Sequence, residues 1–196
     1  MKKNLITAVL MTVATTILLG IIYPLVVTGL AQLIFPKQAN GQLIQKDGKN
    51  IGSSIIAQGF SSAGYFHPRP SFAGNGYDPT STNGSQLGPT NQKLIDRVKG
   101  DVANAQAENP NTPVPIDLVT GSGSGLDPHI TPATAEFQLP RVAKERGTTV
   151  EHLRPLVQKH TEGRQFGFLG EARVNVLELN LELDERFPTK KQASIR

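Results

Sequence analysis

Residues 5–30 read LITAVLMTVATTILLGIIYPLVVTGL, and this stretch decides the architecture. No charged side chain occurs between Asn4 and Pro36. As a helix rising about 1.5 Å per residue, the run extends roughly 39 Å, more than the ~30 Å of bilayer hydrocarbon, so it spans a membrane with some tilt. A cleaved leader instead has an apolar region of about 7–15 residues ending in a small-x-small site. This run is longer, and Val27-Thr28-Gly29 is a poor cleavage sequence. The reading is a retained transmembrane anchor over residues 1–35, followed by one α+β domain over residues 36–196.

Charge balance orients this span only weakly. Lys2, Lys3 and the amino terminus precede it, and Lys37, Lys46 and Lys49 follow it, nearly a tie under the positive-inside rule. A long C-terminal domain crosses regardless of charge, which favours an extracytoplasmic body. Ala8, Thr12, Thr16, Gly20, Pro24 and Thr28 recur every four residues as a ridge of small groups. Such ridges let helices approach closely, so Thr12, Thr16, Gly20, Pro24 and Thr28 are the expected subunit-packing positions. Pro24 is expected to kink the helix.

Composition removes several function classes. The 196 residues contain no cysteine, which excludes disulfides, thiolate-bound zinc, iron–sulfur clusters and thiol catalysis. There is also no Trp, so the core rests on Leu, Ile, Val and Ala. The net charge of +4 includes Lys2 and Lys3 beside the apolar run, and no basic cluster supports nucleic acid as a partner.

Local signals outline the second domain. Asp47-Gly48 suits a tight turn between strands at 42–45 and 51–57. Residues 58–90, rich in Gly, Ser, Pro and Asn, read as a long functional loop. Asn91 caps a helix with Leu94, Ile95, Val98, Val102 and Ala105 on one face. Thr131-Pro132 opens another, which Pro140 kinks or splits and Gly147 stops, and a further helix carries Val150, Leu153, Leu156 and Val157. In the stretch 173–183, Leu177, Leu179, Leu181 and Leu183 alternate with polar residues. This is the strongest strand signal in the chain, with a bulge near Val176-Leu177.

Catalytic patterns are thin. Gly121-Ser-Gly-Ser-Gly125 lacks the Lys-Ser/Thr of a phosphate loop and the geometry of a nucleophile elbow. His67, His129, His152 and His160 show no metal-ligand spacing. Glu178, Glu182, Asp184 and Glu185 read as the wet face and end of a strand. No catalytic or metal-binding residue is therefore expected. The stretch 142–153 (VAKERGTTVEHL) mimics a helix-turn-helix, which makes a membrane-anchored DNA-binding regulator the alternative reading. Glu151 and His152 are poor base readers, and an outward domain never meets DNA.

Three loop stretches carry the resemblance: Tyr65-Phe-His-Pro-Arg-Pro-Ser71, Gly84-Ser-Gln-Leu-Gly-Pro-Thr-Asn91, and Val114-Pro-Ile-Asp-Leu-Val-Thr120 running into Ser124-Gly-Leu-Asp-Pro-His-Ile-Thr131. With Gln138-Leu-Pro-Arg-Val-Ala143 and the stretch 169–180 (LGEARVNVLELN), the chain resembles the C subunit of the bacterial Kdp potassium-transporting ATPase. The match runs from the span to about Asp184. It departs mildly, with Gln86, Gly121 and Thr131 standing where Asn, Ala and Ser are usual.

The resemblance implies a non-pumping, non-catalytic subunit of an ATP-driven potassium importer in the bacterial inner membrane. Its partners there are a channel-like potassium subunit, a P-type ATPase subunit and a small single-span subunit. The family is described as needed for assembly and as a catalytic chaperone that raises ATP affinity in the hydrolysing subunit. Gln138 is then the candidate nucleotide-sensing residue. No cofactor is bound tightly, and ATP is reached indirectly. Tyr65, Phe66, His67, Arg69, Asp117, Asp127 and Arg141 are the candidate docking-loop residues.

Overall fold

The computed structural model describes residues 1–189, so the far end of the expected 36–196 domain lies outside the described residues. The described residues form two compact units, Met1–Ser53 and 54–189.

In the first unit, helix α1 (Lys2–Ile34) is long and apolar enough to cross a membrane. The hydroxyls of Thr7, Thr12 and Thr15 donate to the carbonyls of Lys3, Ala8 and Met11, 2.8–3.0 Å away, so these polar groups are satisfied inside the helix. The irregularity expected at Pro24 takes the form of a π-helical segment, Thr16–Ile22. Pro24 has no N–H for the Gly20 carbonyl and its ring crowds that turn, so the backbone loosens and the Tyr23 N–H reaches back to Leu18 O. On a regular α-helix, a four-residue repeat overshoots a full turn by about 40° per step and spirals around the axis. The wider π turn holds more residues and counters that drift locally. A Cβ on Gly20 would lie 3.8 Å from Thr16 Cγ2, so these two ridge positions are direct neighbours.

One further turn, α2 (Pro36–Ala39), leads to a hairpin of β1 (Leu43–Lys46) and β2 (Lys49–Ser53). Asp47 and Gly48 have φ of +51° and +73°, the primed turn expected from that dipeptide, and Lys46 pairs with Lys49 across it. The second strand ends at Ser53, short of the expected residue 57.

In the second unit, α3 (Gln92–Glu108) begins at Asn91, whose side chain accepts from the Lys93 N–H. A single 3-10 turn, Ile116–Leu118, follows. Strand β3 (His129–Ile130) leads into α4 (Pro132–Arg146), capped by Thr131 and uninterrupted at Pro140. Gly147, at φ +64°, closes α4 in the left-handed conformation that costs glycine least. Helix α5 (Val150–Lys159) and strands β4 (Thr161–Glu162) and β5 (Arg173–Asn175) follow, the sheet order being β3-β5-β4 with both pairings antiparallel. Last comes α6 (Val176–Arg186). Phe66, Leu139, Val142, Leu153, Leu179 and Leu183 centre the core beneath these elements.

The expected long strand over 173–183 is corrected: only Arg173–Asn175 is strand and the rest is helix. Two of the leucines also fit the helical period. Val176, Leu179, Asn180 and Leu183 are buried at i, i+3, i+4 and i+7, a helical stripe. Asn175 then decides the outcome by capping: its Oδ1 accepts from the Glu178 N–H at 3.1 Å, while its Nδ2 donates to Ser54 O at 2.7 Å. Glu178, Glu182, Asp184 and Glu185 consequently belong to a helix, not to a strand face.

Candidate functional site

The stretch Tyr65–Ser71 contains most of the candidate docking residues, and two side-chain amides from different helices hold its backbone. The Phe66 N–H donates to Asn180 Oδ1 and the Phe66 carbonyl accepts from Asn180 Nδ2, both at 2.9 Å. The next residue repeats the pattern: the His67 N–H donates to Gln138 Oε1 at 2.7 Å and its carbonyl accepts from Gln138 Nε2 at 3.1 Å. Each amide does for one loop residue what a neighbouring strand does in a sheet. Both amides are about 1% exposed, and Phe66 is fully buried. Buried backbone groups demand such partners, and among the described residues no strand supplies them to this loop.

Arginines complete the clamp. Arg141 donates to the carbonyls of Ala63 and Tyr65 at 2.5 and 2.8 Å and to Gln138 Oε1 at 2.6 Å, with its Nε 2.8 Å from Glu108 Oε1. Arg146, whose side chain has no exposure, donates to Gly64 O, Phe187 O and Asp184 Oδ1 and lies over the Tyr65 ring. The Tyr65 hydroxyl donates to the other oxygen of Asp184 at 2.9 Å. Arg69 reaches the carbonyls of Thr120 and Gly121, each at 3.2 Å, and Asp127 at 3.2 Å, joining this loop to the 117–127 segment. Tyr77 donates its hydroxyl to Arg69 O, and burial pushes its pKa up to about 12.

Asp117 and Asp127 guard the free edge of β3. Asp117 accepts from the Thr131 N–H at 2.7 Å and from the Thr134 hydroxyl, and Asp127 accepts from the His129 N–H at 3.0 Å. An edge strand whose outward N–H groups are already taken is a poor template for a foreign strand. Burial pushes the Asp127 pKa up, but hydrogen bonds from His129 and the Arg69 charge outweigh it and hold the carboxyl below its usual range. His67 is shifted down, first by burial and then by Arg141, against the weaker pull of Ser62 and Glu108.

Gly121 also finds its reason here. A Cβ at this position would lie 2.5 Å from the Phe72 ring and 3.0 Å from Pro70 O. With Phe72 seated where it is, alanine does not fit.

The profile of the KdpC family, described as K+-transporting ATPase, c chain, matches residues 5–185. The potassium-transporting ATPase KdpC subunit of Koribacter versatilis is 63% identical over 188 residues, covering 96% of this chain and 97% of that one. The corresponding subunits of Rhodospirillum rubrum and Myxococcus xanthus are 54% and 53% identical, covering 96% and 95% of this chain and 98% and 90% of their own.

The chain belongs to the KdpC family.

That membership sets aside the DNA-binding alternative. The helix-turn-helix likeness is the corner between α4 and α5, where Leu153, Leu156 and Val157 are buried and Arg154 pairs with Glu136. Of the KdpC-like residues singled out from sequence, Tyr65, Phe66, His67, Gln138 and Arg141 come together in one clamp. Arg69, Asp127 and Asp117 form a second group around β3. Asn180, Arg146 and Asp184 are clamp members that the sequence reading missed. Asn180 was detectable only as the one polar member of the stripe 176-179-180-183, and that stripe appears only at the helical period.

Two open cavities adjoin these groups. One of about 260 Å³ is lined by Arg69, Asp127, His129 and Arg173, and one of about 310 Å³ by His67, Tyr77, Asp101 and Glu108. Most of their charged groups are matched by ion pairs within the chain, as Arg69–Asp127, Arg173–Glu162, Arg97–Asp101 and Arg141–Glu108, and Asp117, which also lines the first, accepts from Thr131 and Thr134.

Proposed function

We propose that the chain is a non-catalytic subunit of a potassium-transporting ATPase complex, needed for its assembly. Helix α1 anchors it in the bacterial cytoplasmic membrane, and the body lies on the extracytoplasmic side. The observation that carries this reading is the family match over nearly the whole length, from the apolar helix through α6. The geometry is in keeping with an assembly role. The arginines, the buried amides and the β3-edge carboxylates of the family-like loops are engaged in fixing loop backbone, which produces rigid shapes suited to docking.

Two finer statements belong to the same proposal. Potassium is handled by other subunits, because K+ sites favour rings of inward carbonyls and these loops direct theirs at arginines and amides. Any effect on ATP affinity in the hydrolysing subunit is indirect, because an outward body is separated from cytoplasmic nucleotide by about 30 Å of hydrocarbon. It then acts as a coupling free energy between distant sites, and Gln138 contributes by holding His67.

A C-terminal alkaline phosphatase fusion to the full chain, expressed beside the other ATPase subunits and purified through them, tests placement and assembly together. Active phosphatase that co-purifies with the complex is expected. An inactive fusion places the body in the cytoplasm and refutes the topology, and a fusion that never co-purifies refutes the subunit role.

A further inference from the structure

Between β4 and β5 the chain runs out to a tip, Phe166-Gly-Phe168-Leu169, with Phe166 87% and Phe168 70% exposed. The other exposed large apolar residues described from Ser54 onward, Ile55 and Ile116, stand singly. Single exposed apolar residues are ordinary on a soluble surface, whereas three within four positions at the end of a projection mark an interaction site.

The tip is rigid. Gln165 and Leu169 exchange both backbone hydrogen bonds at 2.9 Å, and the N–H groups of Gly167 and Phe168 donate to the carbonyls of Arg164 and Gln165. Phe166 holds φ +53° between these bonds, a conformation a phenylalanine adopts only when its surroundings impose it. A preformed aromatic display loses little freedom on binding.

Its charges identify the kind of partner. Arg164 pairs with Glu171 at 3.3 Å and Arg173 with Glu162 at 2.8 Å, each pair bridging the two sides of the projection. Anionic lipid rewards unmatched basic residues beside the aromatics, and here each flanking arginine is neutralised and Glu171 is largely exposed. The apolar crown on a charge-balanced stem fits an uncharged protein pocket better than a headgroup layer.

We infer that this finger is a docking plug, seating Phe166, Phe168 and Leu169 in an apolar, uncharged socket on another subunit of the complex. The inference rests on the subunit role proposed above.

The test places the photoreactive analogue p-benzoylphenylalanine at Phe166, at Phe168 or, as control, at Ile55, which lies outside the family-like loops, in the full-length chain, co-expressed with the other subunits. The analogue replaces exposed apolar side chains, so folding is not at stake. Irradiation should join positions 166 and 168 to another subunit with at least about tenfold the yield at 55, as expected of a buried anchor. Adducts to lipid, adducts only to a second copy of this chain, or yields no higher than at 55 overturn the plug. If the unmodified chain brings down no other subunit, the assembly reading itself has failed; if it does and position 166 stays unjoined, only the plug has.

Discussion

Replacing Gln138 by alanine strips His67 of both its backbone partners while leaving the surrounding helices in place. The N–H bond of 2.7 Å and the carbonyl bond of 3.1 Å are lost, and Arg141 loses the acceptor 2.6 Å from its guanidinium. A buried polar group left without a partner costs about 1–3 kcal/mol. His67 is only half-buried, so water recovers part of that, and the two stranded groups together cost about 2–4 kcal/mol. At roughly 2–4 °C per kcal/mol for a chain of this size, the body should melt about 5–15 °C lower. Helix α1 contributes to far-ultraviolet ellipticity without belonging to the body, so the melt is followed by near-ultraviolet circular dichroism of the full chain in detergent. Amide hydrogen exchange supplies the local readout. The Gln138→Ala chain should expose the His67 amide first, and Asn180→Ala the Phe66 amide. In the assembled complex, well below the melt, Gln138→Ala should move the ATP KM by less than about threefold, under ~1 kcal/mol. A melting shift under about 2 °C with the His67 amide still protected refutes the clamp. A large KM change at unchanged stability restores a direct nucleotide role for Gln138.

Two further outcomes are expected. Since burial and then Arg141 depress the His67 pKa, the unfolded chain takes up a proton more readily than the folded one as the medium acidifies. Stability is therefore full above about pH 6.5 and falls as pH drops toward the folded value, before the depressed carboxyls Asp127 and Glu182 contribute their own loss below about pH 4. Melting temperature measured from pH 7.5 to 5 should decline in the native chain and flatten in His67→Gln; a flat native profile contradicts this. In α1, Gly20→Leu or Thr16→Leu should weaken co-purification with the channel-like subunit that the proposed function supplies as partner, while Leu18→Ile and Leu25→Ile should not. Helix α1 itself has room beside Gly20, so a partner must supply any clash, and equal behaviour of all four variants rules out the ridge.

Features governed by neighbours in sequence were legible at once. The unbroken apolar run over 5–30 determines α1 because partitioning into hydrocarbon depends on composition within one segment. Asn91, Thr131-Pro132, Gly147 and Asp47-Gly48 mark their caps and turns for the same reason, since each satisfies or bends backbone within a few residues. The stretch 173–183 reads as a strand because its four leucines alternate strictly, whereas only Leu179 and Leu183 share the helical stripe with Val176 and Asn180; the helix is decided by Asn175, capping one side and tying down Ser54 on the other. The clamp was beyond local reading. Gln138 meets His67 across 71 positions and Asn180 meets Phe66 across 114. A glutamine or asparagine carries the same donor and acceptor wherever it stands. Which backbone it serves is decided only when the core brings α4 and α6 to either side of a loop that has no strand of its own to pair with.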